Sequence, residues 1–349
     1  MEPTETNMGW PIAPNLTPGL AGSPSAAPAR PYAAQKRRVT MYMSINYPLE
    51  VNADLADFNN RNIAMFELRR LLYPKYEWAA GPEYKQGIAG PMDMFLADFR
   101  DCLGFMAEVT EQPTPFILRV DKEGNLRLLD ERVLADTDTL ILISSDHLKT
   151  GQQLYPAEVE ALQQFLAREG TRLVVCPHHE VGLSDDPEVR EMEWLHHGDI
   201  FVGRQERYSG FARSLFATFN IPVENRWGLN PAKVPGTNQP VPLTVADDLD
   251  TPGFLRGIKS FGAHSHFPHL AVTTDDTRSV HVLATQPINL EAPPHPFVQD
   301  GNREFNALVW LPPSGDRAAD ILVTDLTRFM AMFGDKENLQ RFWRNLAQW

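Results

Sequence analysis

The stretch from Asp136 to Glu180 leaves the chain very little choice of fold. Thr139-Leu-Ile-Leu-Ile-Ser144 is a β-branched apolar run, too short for a helix and suited to a buried strand. Pro156 opens a helix at the one position where its missing N–H costs nothing. Val159, Leu162, Phe165 and Leu166 share one helical face, while Glu158, Glu160, Gln163 and Arg168 turn to water. Gly170 supplies the stop. Arg172-Leu-Val-Val-Cys176 is then a second strand. Strand, crossover helix and strand make a right-handed βαβ unit of a mostly parallel sheet. Ligands of such sheets sit beyond the carboxyl ends of the strands. Those ends read Ser144-Ser-Asp-His147 and Cys176-Pro-His-His-Glu180.

The expected fold is therefore α/β, built on a mostly parallel sheet. Further strands are predicted over Val39–Ile45, Lys259–Val272, Ser279–Thr285, Phe305–Leu311 and Ala319–Thr324. Phe116–Val120 and Leu126–Leu129, flanking Asp121-Lys-Glu-Gly-Asn125, read as a β-hairpin. Helices are predicted over Asn60–Leu72, Met92–Met106, Ser209–Phe219 and Lys336–Trp349, with a polar loop from Glu180 to about Asp199. Residues 1–37, rich in Pro, Ala, Gly and Ser, cannot bury enough apolar surface to offset their ordering entropy. They are expected to form a disordered tail or an extended arm that mediates self-association or contact with a partner protein. Residues 38–349 read as one elaborated domain, with a long surface excursion near 230–255.

A formal net charge of −13 repels phosphate backbones, so no nucleic-acid partner is expected, and Lys36-Arg-Arg38 reads as a solvated strand entry. No run approaches the roughly 20 apolar residues of a membrane span. Cys102 and Cys176 are too few for a disulfide scaffold, and the first residues lack an apolar leader core. A reducing, cytoplasmic location is the expectation.

Three pieces carry a resemblance to a known superfamily. The first is Leu140-Ile-Leu-Ile followed by the helix and strand from Tyr155 to Val175, with Glu169-Gly170 at the turn. The second is Ser214-Leu-Phe-Ala-Thr-Phe-Asn-Ile-Pro-Val223. The third joins Ile321-Leu-Val-Thr-Asp-Leu-Thr-Arg-Phe329 to the helix Asn338–Trp349, with Thr324 where the family has Gly. From Asp136 onward the chain resembles the class I glutamine amidotransferase-like superfamily, in its non-amidotransferase branch of gliding-motility GldG, DUF4350-type and ThuA-like domains. True amidotransferases present a nucleophile in a Gly-x-Cys-x-Gly elbow with a late His–Glu pair. Cys176 occupies the comparable strand end, but Val175 and Pro177 flank it, and no late His-x-Glu follows. The resemblance thus implies an α/β fold with a flavodoxin-like, doubly wound, mostly parallel sheet, without glutaminase activity.

Histidines supply the candidate chemistry. His178-His179-Glu180 lies at a predicted ligand edge, and His264-Ser-His266 places two imidazoles on one face of a strand, with His269 beyond. Imidazoles with a carboxylate suit Zn²⁺ or Fe²⁺, and an open coordination position would activate water. The candidate metal ligands are His178, His179, His264, His266 and His269, with Glu180 as base or ligand. Cys176 is a candidate nucleophile if its thiolate is stabilised, and Asp146-His147 a candidate dyad. Arg226, beside Trp227, could clamp an anion, and Asp325, at the exit of the last strand, is a ligand-binding candidate with Asp146 or else a cap of the following turn. Two functions follow. One is a non-catalytic module binding a partner protein or small ligand within an assembly, favoured by the degraded elbow, the arm and the aromatic C-terminal helix. The other is a hydrolase or lyase acting on a small polar substrate through the histidines and a divalent metal.

Overall fold

The computed structural model describes residues 36–52, 88–199, 202–237, 239–262, 264–276 and 278–348. The predicted helix 60–72 and nearly all of the 1–37 arm lie outside them. In chain order the elements are β1 Val39–Asn46, α1 Tyr47–Val51, α2 Ala89–Ala97, α3 Arg100–Thr110, β2 Phe116–Val120 and α4 Glu131–Leu134. Next come β3 Thr139–Ser144, α5 Pro156–Leu166, β4 Arg172–Pro177, α6 Pro187–His197, α7 Gly210–Thr218 and β5 Val223–Leu229. The remainder is β6 Thr244–Val245, β7 Phe267–Val272, β8 His281–Pro287, α8 Pro296–Gln299, β9 Glu304–Leu311, β10 Asp320–Thr324 and α9 Lys336–Ala347.

Eight strands form one sheet in the order β2-β1-β3-β4-β10-β9-β8-β6, and β5 pairs with β7 in a separate ribbon. The first five are mutually parallel, and β9, β8 and β6 complete the sheet in antiparallel pairing. This is a flavodoxin-like, doubly wound sheet. Alternating side chains explain the winding. Met41, Met43, Ile141, Ile143, Val174, Cys176 and Leu322 face a layer with Cys102, Met106, Leu339, Phe342 and Trp343 of α3 and α9. Tyr42, Leu140, Leu142, Leu173, Val175, Ile321 and Val323 face a layer with Leu162, Phe165, Phe211 and Leu215 of α5 and α7. Strands covered on both faces read as unbroken apolar runs, as these do.

Several expectations are corrected. The residues after Asp121 do not form a hairpin strand: β2 pairs in parallel with β1, and only an isolated bridge joins Val120 to Leu126. The 92–106 helix is two helices, broken at Asp98-Phe99. The stretch 259–266 is irregular, with strand beginning at Phe267. The expected polar loop contains α6. Asp186 caps it by accepting from the Glu188 and Val189 amides, Pro187 sits in its first turn, and Gly198 ends it at φ 78°.

Arg119 meets Glu158 under the sheet edge, and Glu158 also accepts from the Leu129 and Tyr155 amides at 2.9 Å each. Among the described residues no helix is long and apolar enough to cross a membrane.

A histidine cluster at the carboxyl edge of the sheet

Beyond the ends of β4 and β10 the chain gathers five imidazoles. His178 and His179 follow β4, His197 ends α6, and His264 and His266 precede β7. The backbone around His178 is held from two sides. Ser209 Oγ accepts from the His178 amide at 2.7 Å and donates to the Ser144 carbonyl at 2.7 Å. Asn225 Nδ2 donates to the His178 carbonyl at 2.7 Å. Ser209 does this from a left-handed conformation, φ 66°, and such strain is tolerated where the surroundings over-determine it. Ser209 thereby ties the ends of β3 and β4 together.

The rings converge. His179 Nε2 and His197 Nε2 are 2.9 Å apart. The ring centroids of His197 and His266 are 3.7 Å apart, those of His179 and His266 4.4 Å, and those of His178 and His179 3.9 Å. His179, His197 and His266, all buried, each offer a ligand atom within 4.8 Å of the others; so do His178, His179 and Asp325. With metal–nitrogen bonds of about 2.0–2.1 Å, two imidazoles on one ion place their nitrogens about 3.0–3.4 Å apart, close to the His179–His197 spacing. Room for this is made by Gly228 of β5. A Cβ there would meet His197 Cδ2 at 2.7 Å and His179 Cδ2 at 2.9 Å.

Burial keeps His179, His197, His264 and His266 neutral. Burial, then the neighbouring imidazoles, push His179 and His266 well below the usual histidine range. The same causes bring His197 to about 3, and burial brings His264 to about 4 against the opposing pull of Asp325. A neutral imidazole is the form that binds metals. Nδ1 of His178, His179 and His197 and Oδ2 of Asp325 are buried without a hydrogen-bond partner, although Asp325 Oδ2 lies 3.8 Å from His178 Nδ1. Burial raises the Asp325 carboxyl, but His178 and the Arg328 charge prevail and hold it below the ordinary range.

The cluster forms one wall of a cleft of about 510 Å³. Ser145, His178, His179, His264 and His266 stand on it with Glu206 and Tyr208, while Met92, Met94, Phe95, Met330 and Met332 supply an apolar side. Glu206 is buried and accepts from Tyr208 Oη at 2.5 Å and from the Gly203 amide at 3.3 Å. Burial, only partly offset by those hydrogen bonds, lifts its carboxyl above the ordinary range.

Other sequence candidates stand elsewhere. Cys176 is fully buried in the apolar layer under the sheet, and burial, with Asp325 adding, raises its thiol well above the ordinary value. That is an inert thiol, not a nucleophile. Glu180 points away from the cleft, clamped by Arg207 Nη1 at 2.9 Å and Arg213 Nη2 at 2.5 Å. It is a strut beneath the 178–180 segment rather than a base. Asp146 is buried, accepting from Ser144 Oγ at 2.8 Å and the Phe211 amide at 3.0 Å, with Ser44 also on Oδ1. It ties α7 to β1 and β3. His147 Nδ1 accepts from the Lys149 amide at 3.1 Å and its amide donates to Glu50, so Asp146 and His147 form no dyad facing the cleft. Arg226 pairs with Glu224 at 3.0 Å, away from the cleft. His269 stacks beside Trp227 and Phe297, and burial brings it to about 4. It belongs to a packed cluster outside the site. Asp325 both caps the following turn, accepting from the Thr327 amide at 2.8 Å, and faces His178.

Sequence reasoning did not assign His197, Glu206 or Tyr208 to this site. His197 was hidden by the unrecognised helix α6, although Asp186-Pro187 and Gly198 are ordinary helix punctuation. Glu206 carries no local signal, because the fold alone brings it to the cleft.

No family model matches this chain, and no curated protein does. Among solved structures the chain is similar to a ThuA-like protein from Bacteroides uniformis, at 12% identity over 92% of this chain and 94% of that one, TM-score 0.38. It is similar to the mmIFT52 N-terminal domain at 10% identity over 70% and 85%, TM-score 0.40. It is also similar to Agd3, a carbohydrate deacetylase, at 12% identity over 72% of this chain but 31% of that one, TM-score 0.36. Similarities at these TM-scores carry no argument about activity, and the fold rests on the strand order itself.

Proposed function

We propose that this chain is a metal-dependent hydrolase or lyase, with one divalent ion, Zn²⁺ or Fe²⁺, held by His179, His197 and His266. The observation that carries the reading is the convergence of three buried imidazoles, His179 after β4, His197 at the end of α6 and His266 before β7, two of which, His179 and His266, line one cleft. Three protein ligands with a further position toward a cleft is the pattern of catalytic rather than structural sites. An ion there would lower the pKa of a bound water and polarise a carbonyl or similar group.

The chain's own residues supply the rest. Glu206 takes the proton of the attacking water and returns it to the leaving group. Burial raises its carboxyl above the ordinary range, which makes the ionised form a stronger base. Tyr208 Oη, donating to Glu206, fixes which oxygen receives that proton. The methionines and Phe95 opposite exclude water and accept an apolar portion of the substrate, so the substrate combines a polar reacting group with an apolar part.

The reading of the chain as a binding module keeps one support, since the same apolar wall suits a ligand without chemistry. Metal analysis of the purified full chain separates the two. The enzyme reading expects stoichiometric zinc or iron and turnover of model esters or amides by the loaded protein alone. Wild-type protein that is folded and binds no added Zn²⁺, Fe²⁺ or Mn²⁺ overturns it.

A further inference from the structure

We infer a second cation site beside the first, made by His178, Asp325 and the far nitrogen of His179, so that the His179 ring is shared between two ions. The inference rests in part on the reading of His179, His197 and His266 as ligands, and it adds a site which that reading does not need.

The argument starts from unpaired atoms. Buried polar groups are nearly always hydrogen-bonded, and each exception needs a reason. Here four exceptions belong to one cluster, His197 Nδ1 and the three that concern a second site: His178 Nδ1, His179 Nδ1 and Asp325 Oδ2. The same three side chains are one of the groups able to bring a ligand atom each within 4.8 Å. His178 Nδ1 and Asp325 Oδ2 are 3.8 Å apart, too far for a hydrogen bond and ordinary for two groups on opposite sides of an ion. The other oxygen of Asp325 is already committed to the Thr327 amide, which fixes the carboxylate with Oδ2 free. His179 presents Nε2 to His197, so its Nδ1 is the atom left for the second group.

A carboxylate with two imidazoles is a donor set for Zn²⁺, Fe²⁺ or Mn²⁺. The proton balance is simple. His178 binds through Nδ1 with its proton on Nε2, Asp325 binds as the anion it already is, and His179 releases its Nδ1 proton to solvent. The ring then bridges as an imidazolate. Catalytic ion pairs that share a water stand about 3.5–4 Å apart, and an intervening ring sets these two further apart than that. The second ion therefore holds His178 and Asp325 in place and adjusts the first, rather than sharing its water.

The test is a zinc titration of metal-stripped full-length protein, with bound metal counted after desalting. Two ions per chain are expected in the wild type. One is expected in His178→Ala and in Asp325→Asn, the latter keeping an oxygen for the Thr327 amide so that the turn survives; circular dichroism checks the fold of each. With Cu²⁺ as probe, a shared ring couples the two spins, and EPR intensity falls below that of two isolated ions in the wild type but not in Asp325→Asn. One ion in the wild type, with Asp325→Asn binding one ion about 10–100-fold more weakly, makes Asp325 an orienting carboxylate and overturns the second site alone. No ion in any form overturns both this inference and the function proposed above.

Discussion

His179 Nε2 and His197 Nε2 sit 2.9 Å apart although 18 residues separate them in the chain. Two imidazole nitrogens at that distance must either share a proton or share an ion. With both rings held neutral by burial, a single N–H···N bond is one solution and a metal the other. The two solutions respond differently to substitution, to acid and to changes nearby.

His197→Ala removes one of three ligands of the proposed first ion. Zinc affinity measured by calorimetry is expected to fall at least about 100-fold, while the thermal midpoint of the metal-free protein changes little, because the alanine also relieves a buried polar ring. Unchanged affinity would remove His197 from the ligand set.

Acid should undo the metal-free protein early. The folded-state pKa values of His197, His264 and His295 are depressed to about 3, 4 and 3, by burial above all. In the unfolded chain each titrates near 6.5, so below that pH the unfolded state binds more protons. Stability present above about pH 6.5 is lost as pH falls toward 4, at roughly 1 kcal/mol per pH unit for each such ring. Urea denaturation at pH 7.5, 6.0 and 5.0 reads this out, and a flat profile would contradict the burial of neutral imidazoles. Bound metal should shift the loss to lower pH.

Glu206→Gln separates chemistry from folding. Its raised carboxyl means that ionisation at neutral pH costs stability, so the neutral amide should leave the thermal midpoint at pH 7.5 unchanged or higher. Zinc content should hold. Hydrolysis by the loaded protein should fall about 10²–10⁴-fold. A variant that keeps full activity would exclude Glu206 as the base.

Cys176→Ala should keep both metal and activity, losing stability by only about 1–3 kcal/mol through the vacated volume. In the native wild type, neither buried thiol should react with an aromatic disulfide reagent until the protein unfolds. Fast labelling of Cys176 would restore it as a reactive group.

Arg119→Met strands Glu158 in the core, and the expected cost is about 3–5 kcal/mol in denaturant titrations at pH 7. The double change Arg119→Met with Glu158→Gln should recover part of it.

The parallel core was legible because β3 and β4 are buried on both faces, which leaves continuous apolar runs. The β2 pairing was not, because its partner β1 lies far back in the chain and Gly124 gives the local segment a hairpin-like turn. Within the site, His178 and His179 follow β4 as the sequence indicates, while His264 and His266 reach the cleft from an irregular segment rather than from the face of a strand. His269 was misassigned to the metal. It lies within β7, whereas His266 precedes the strand, and its ring joins Trp227 and Phe297 instead. Asp325 was readable as a cap, but its second oxygen could be seen to face His178 only once β10 and β4 were paired.

Gly228 gives the centre a sensitivity that no ligand residue has. Its hydrogen is all that stands between the β5 backbone and the edges of two imidazoles, so a single methyl group acts as a spacer driven between them. A strand outside the imidazole set thus sets the spacing of the rings, and shifts of a few tenths of an ångström in that ribbon change how far apart the His179 and His197 nitrogens stand.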